Sequence, residues 1–208
     1  MSATRRQGVL LLADISGYTG FLQDAAEAHR ELIIESPEPP YAYSVMSSTL
    51  SAIVEALVPT FELAKLEGDA VFVVADDGAL DGDRLLAALR DCYAAFRARL
   101  TEAGENWSCT CAACTGMIKL DLKFVVHHGG FVEQSIAGHA ELLGPNVNVV
   151  HRLLKNHAVE RVGRVPYALF TDDATRALSL ATDTMTDGEE AYDGNAPFPV
   201  HIMVLSAA

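Results

Sequence analysis

Apolar and polar positions fall into blocks along this chain, and the blocks set out its elements. Gly8 to Ala13 is an unbroken apolar run closed by Asp14, the pattern of a strand covered on both faces. Ser16, Gly17 and Thr19 interrupt it and open a helix through Phe21, Leu22 and Ala25 to about Ile34. Ser36 to Pro40 predicts a connector, because proline and the residue before it both resist helix. An amphipathic helix follows over Val45 to Leu57. Two strands come next, Thr60 to Lys65 and Ala70 to Ala75, joined by a tight turn from Leu66 to Asp69. Asp83 is read as the cap of a helix with Leu85, Leu86, Leu89, Tyr93, Phe96 and Leu100 on one face, and Cys92 beside that stripe reads as a core thiol. Gly104 to Met117 is expected to be a loop, followed by a strand to Val126 and a glycine turn at Gly129 and Gly130. A helix from Pro145 or Asn146 to Lys155, capped by Asn156, precedes strand candidates at Pro166 to Thr171 and Val200 to Leu205, with a short helix from Asp172 to about Leu180.

This order, β-α-α-β-β-α-β-α and then further strands, predicts an α/β (α+β) sandwich with a mixed, mostly antiparallel sheet. A TIM barrel or a doubly wound parallel sheet needs a helix between every pair of strands. Half of the 208 residues are hydrophobic, enough for one sizeable core. The whole of 1–208 is therefore expected to be one domain, with the chemistry-bearing segments in 8–155, a cysteine-containing loop in 104–117 and further strands in 156–208. The formal net charge of −13 argues against nucleic acid or an anionic membrane as partner, since phosphate backbones need clustered Lys and Arg. An acidic chain still binds a nucleotide where metal ions neutralise the phosphates. No apolar run reaches membrane-spanning length, and MSATRRQ leads straight into a strand, so a soluble cytoplasmic protein is expected.

Two aspartates lie where strands meet turns. If their strands are neighbours, Asp14 and Asp69 project from one sheet end and can share Mg²⁺ or Mn²⁺, with the carbonyl of Ile15 as a third oxygen. The bland reading also stands: Asp14 could cap the next helix, and Gly68-Asp69 could be only a turn. The turn Ile15-Ser16-Gly17-Tyr18-Thr19 precedes a helix, so its amides could cradle a di- or triphosphate. Asn148 and Arg152 share a helix face otherwise surrounded by Val147, Val149, Val150, Leu153 and Leu154, which calls for a partner at a cleft or interface. Arg152 suits developing phosphoryl charge and Asn148 a ribose. Lys65 offers donors and Glu141 acceptors, a set complementary to adenine and mismatched to guanine. An exposed lysine and a solvated glutamate are the alternative.

Cys109, Cys111 and Cys114 crowd into a C-x-C-x-x-C spacing that suits a metal better than structural disulfides in a reducing compartment. They could supply three ligands to a structural Zn²⁺, with a fourth from His127, His128, Cys92 or a partner chain. Reduced thiols without metal, or a redox or iron–sulfur role, are the other readings. His127 and His128 read as packing and turn residues.

Four segments together resemble the catalytic domains of class III adenylyl and guanylyl cyclases: ADISGYTGF, KLEGDAV, FVVHHG and ELLGPNVNVVHRL. The cysteine insert and the HRLLKN ending resemble a bacterial subgroup of that family. The resemblance implies a ferredoxin-like class III nucleotidyl cyclase fold and a head-to-tail homodimer with shared sites. Asp14 and Asp69 would come from one chain, and Lys65, Glu141, Asn148 and Arg152 from the other. It implies two-metal conversion of ATP to 3′,5′-cyclic AMP and pyrophosphate, with Arg161 or Arg164 replacing the lysine such cyclases usually place in the C-terminal strands. A relative that binds a nucleotide without turning it over, as a regulatory or dimerisation module, is the alternative. A thiol- or zinc-dependent sensor is a further one.

Overall fold

The structure, a computed structural model, describes residues 3–31, 41–107, 109–192 and 197–206. Its strands are β1 (Ala3–Ser16), β2 (Glu62–Glu67), β3 (Ala70–Asp76), β4 (Asp121–Ile136), β5 (His139–Leu143), β6 (Tyr167–Thr171), β7 (Thr186–Glu190) and β8 (Phe198–Val204). The helices are α1 (Tyr18–Ala28), α2 (Tyr41–Leu57), α3 (Gly82–Asn106), α4 (Ala112–Thr115), α5 (Pro145–Arg152), α6 (Ala158–Val162) and α7 (Asp172–Ala177). All strands join one sheet in the order β2-β3-β1-β4-β6-β8-β7, with β5 added to the far half of β4. Among the described residues only the β4–β6 pairing is parallel. The expected mixed, mostly antiparallel sheet is present. The connector from Ser36 to Pro40 lies outside the described residues, and the first helix ends at Ala28 with His29 as its C-cap, short of the expected Ile34.

Strand β1 reads as a continuous apolar run because both of its faces are covered. Val9, Leu11, Ala13 and Ile15 point with Val71, Val73, Phe124 and Val126 into a core closed by α1, α2 and α3. Leu10 and Leu12 point the other way with Phe72, Val74 and Val125, under Val147, Val150 and Leu153 of the α5 region. Full burial of each such leucine is worth roughly 1.5–3 kcal/mol, so this strand anchors both layers. It also fixes the height at which Asp14 emerges.

Several boundaries differ from the expectation for identifiable reasons. Asp81, not Asp83, caps α3: its backbone is extended and its carboxylate accepts from the Arg84 amide at 2.8 Å. The expected loop of 104–117 is largely helical, since α3 runs to Asn106 and α4 and a 3-10 turn (Gly116–Lys119) follow. Strand β4 does not turn at Gly129 and Gly130 but continues to Ile136, and the turn falls at Ala137 and Gly138. Gly129 instead admits a neighbour, because a Cβ there would lie 2.4 Å from Asn146 Cγ. The same Asn146 amide donates to the Gly130 carbonyl at 2.9 Å, so this glycine pair lets α5 close on the sheet. Strands β5 and β7 were not expected. Both are five residues long and near sheet edges, with little apolar alternation to read.

At the end of β1 remote from Asp14, Arg6 bonds Asp76, Glu62 and Glu133 at 2.8, 2.8 and 2.6 Å and lies over the Phe131 ring. The guanidinium is 13% exposed while the Asp76 and Glu62 carboxylates remain more than half exposed, which limits each bridge to about 1 kcal/mol or less. Arg6→Ala is expected to cost about 2 kcal/mol in urea unfolding, much of it from the three carboxylates left together.

Candidate active site

Asp14 lies two residues before the end of β1, opposite Ala70 on β3 and Lys123 on β4. Asp69 immediately precedes Ala70, and its carbonyl accepts from the Ile15 amide at 3.3 Å. Two acids distant in sequence therefore reach the same sheet end. Burial, and then the charge on Asp14, raise the Asp69 pKa above the usual carboxylate range. Like charges in a half-buried site repel, and a cation would relieve them. Asp14 and Asp69 offer hard carboxylate oxygens, with the Ile15 peptide at the same strand end, and this donor set fits Mg²⁺ or Mn²⁺.

Sequence reasoning missed a cation that already stands there. Lys123 Nζ lies 2.9 Å from Asp14 Oδ2 and donates to the Leu154 carbonyl at 3.1 Å. Both side chains are less than one-fifth exposed. The available signal was face alternation: Lys123, Val125 and His127 share one side of β4, and Lys123 is the register partner of Asp14. Arg161, expected as a substitute for a C-terminal lysine, reaches the Glu189 carbonyl on β7 instead.

The turn beside these acids opens α1. Gly17 takes a left-handed conformation (φ 89°) as its N-cap, which a side-chain-bearing residue adopts only under strain. No side chain caps the helix and no acid occupies its first turn. The Gly17 carbonyl accepts from Phe21 in the first intrahelical bond, leaving the amides of Tyr18, Thr19 and Gly20 to point outward at the positive helix end. Burial, and then the nearby Asp69 charge, raise the Tyr18 pKa. Ser16 is half-buried and Thr19 exposed.

Lys65 and Glu141, 76 residues apart, meet as the sequence pairing requires: Nζ lies 3.0 and 3.2 Å from the two carboxylate oxygens. Asn148 and Arg152 are exposed on the outer side of α5, while Val147 and Val150 hold its inner side. Neither side chain has a hydrogen-bond or ion-pair partner among the described residues. The helix is fixed by His151, which lies 2.8 Å from Glu67 and packs edge-on against Phe72. None of Lys65, Glu141, Asn148 and Arg152 bonds to Asp14 or Asp69 among the described residues.

The cysteine segment forms a second centre. Cys109, Cys111 and Cys114 converge on His29, at the C-terminal end of α1, with their sulfurs 3.6, 3.5 and 3.0 Å from its Nε2. The expected fourth partners are engaged elsewhere. Cys92 is fully buried in the core. His127 sits between Thr171 and Asn146, and its burial lowers its pKa. His128 meets Asp77. The Cys114 amide holds the Cys111 thiol down to about 6, while burial and the neighbouring thiols push Cys114 up to about 12. Nothing in local spacing points to His29, which is 80 residues from Cys109; only the packing of α1 on α4 brings it there. No described helix is long and apolar enough to cross a membrane.

Comparison with known proteins agrees with this geometry at the level of fold. The adenylyl cyclase CyaB from P. aeruginosa superposes with a TM-score of 0.64 at 16% identity, covering 99% of this chain and 97% of that one. The guanylyl cyclase Cya2 gives 0.66 at 15% identity, covering 97% and 93%. The fold is that of class III adenylyl and guanylyl cyclase catalytic domains. In sequence, "Uncharacterized protein Rv2561/Rv2562" of Mycobacterium tuberculosis (strain ATCC 25618 / H37Rv) is 35% identical over 151 residues, covering 69% of this chain and 68% of the relative. A family model described as "Protein of unknown function (DUF2652)" matches residues 46–161, more than half of the chain. Strands β2, β3 and β4, the cysteine segment and α5 all fall within that match, and the chain belongs to the DUF2652 family.

Proposed function

We propose that this chain is a nucleotidyl cyclase that converts ATP to 3′,5′-cyclic AMP and pyrophosphate as a head-to-tail homodimer. The observation that carries the reading is the meeting of Asp14 and Asp69 at one sheet end beside an uncapped helix N-terminus. Asp14, Asp69 and the Ile15 carbonyl hold two divalent cations, Mg²⁺ or Mn²⁺. Bound there, such cations supply charge that acidifies the ribose 3′-hydroxyl and neutralises the triphosphate. The amides of Ser16 to Thr19 take the phosphates, and Lys123 turns its ammonium from Asp14 toward them. The partner's Asn148 orients the ribose, and the partner's Arg152 stabilises charge developing on the phosphorus-bound oxygens as the 3′-oxygen attacks and pyrophosphate leaves. Exposure of that pair, with no side-chain partner among the described residues, supports the second copy. The reading places the protein in the cytoplasm, where ATP is supplied.

Lys65 and Glu141 select the base. Their mutual bond is half-exposed and worth no more than about 1 kcal/mol, so adenine can part them at little cost. Wild-type kcat/KM is expected to favour ATP over GTP by about 10²-fold, and the double variant Lys65→Glu/Glu141→Lys to move the preference toward GTP. An unchanged ratio in that variant would remove the pair from base recognition.

The purified protein, given Mn²⁺ and ATP, should form cyclic AMP and pyrophosphate in equal amounts. A second reading has its own support: Lys123 already neutralises Asp14, as suits a module that binds nucleotide without turnover. ATP binding with no cyclic product would select it.

A further inference from the structure

We infer that His29, Cys109, Cys111 and Cys114 form a zinc site that clamps the end of α1 to the cysteine segment. This goes beyond the proposed cyclase chemistry, which uses hard oxygen donors at the opposite end of α1. The four ligand atoms lie within 4.8 Å of one another. Zinc bonds of about 2.3 Å to sulfur and about 2.0 Å to nitrogen put tetrahedral ligand atoms roughly 3.5–3.8 Å apart. Two of the three observed sulfur–nitrogen separations are 3.5 and 3.6 Å, and the third is 3.0 Å.

Hydrogen bonding does not account for the convergence. One imidazole nitrogen serves one thiol well, and here three sulfurs surround the same Nε2. The four cysteines of the chain are all free, so no disulfide explains it either. The backbone adds a feature that a bound thiolate uses. The Cys114 amide donates to Cys111 Sγ at 3.4 Å, the outer-shell bond that orients a ligating sulfur. Cys114 is buried and the other three are half-buried, so four protein ligands leave no open position for a substrate. Such a closed set marks a structural metal. Without it, α4 is a single helical turn of four residues and the segment has little core of its own. The clamp therefore holds the far end of the helix whose first turn borders Asp14 and Asp69.

Metal analysis of the tag-free protein should find stoichiometric zinc. Co²⁺ exchanged for it should give the absorption of a tetrahedral, thiolate-bound ion. Chelation of the zinc should lower Tm in wild type and leave Cys111→Ser unmoved. His29→Ala should weaken Co²⁺ binding by more than the ~10–100-fold typical of an outer-shell change, and His29→Cys should restore both the spectrum and the zinc. These readouts do not involve ATP, so they stand or fall apart from the cyclase reading. Wild type that is purified without metal and gives no tetrahedral Co²⁺ spectrum would overturn the site. A His29→Ala spectrum and affinity equal to wild type would overturn His29 as a ligand.

Discussion

Asp69→Asn is expected to lower cyclic AMP formation by about 10³-fold while leaving the metal-free fold as stable as wild type or more so. The two effects have opposite signs because one group serves two ends. In the folded protein Asp69 is partly desolvated and faces Asp14, and both raise its pKa. A neutral amide of the same shape removes that repulsion and also removes an oxygen ligand. The sign of the pH dependence follows. The folded-state pKa lies above the ordinary value of 3.8, so the folded protein binds a proton more readily than the unfolded chain. This contribution to stability is complete below the unfolded pKa and is lost as pH rises through the folded one. Tm recorded against pH in metal-free buffer should show that loss in wild type and not in Asp69→Asn. Mn²⁺ should raise Tm of wild type at neutral pH, less so as Asp69 is protonated. Turnover by Asp69→Asn at the wild-type rate would detach the acids from catalysis.

Arg152→Ala is expected to reduce kcat by about 10²–10³-fold with KM for ATP little changed. A guanidinium that acts on charge present only in the transition state alters kcat and not ground-state binding. The fold should not register the change, since Arg152 is exposed and bonds to nothing in its own chain among the described residues. Asn148→Ala, one turn earlier on the same face, should follow with a smaller loss. Equal Tm for both variants and wild type separates a catalytic role from a structural one. A variant that raises KM and spares kcat would make Arg152 a substrate anchor instead.

The residues legible in the sequence were those whose neighbours carry strong local patterns. The apolar run ending at Asp14 and the hairpin ending at Asp69 fixed two strand ends, and the sheet pairs them. Lys65 and Glu141 meet across the fold. Lys123 escaped notice because a lysine within an apolar strand reads as an edge or solvent residue until its cross-strand partner is known. His29 escaped for the same reason at longer range: three local thiols point to a fourth ligand, but only tertiary packing says which. Gly129 reads as a turn in the sequence because glycine serves turns and close approaches alike, and only Asn146 distinguishes them. Short strands such as β5 and β7 owe their form to a neighbour's edge, which no local pattern encodes.

The proposed site is divided between two copies, acids from one and the Asn148–Arg152 face from the other. Mixing Asp14→Ala with Arg152→Ala chains, each inactive alone, tests it most directly. Random pairing makes half of the dimers mixed, each with one intact site of two, so the mixture should recover about a quarter of the wild-type rate. No recovery, from variants shown to fold and to exchange subunits, would contradict the shared site.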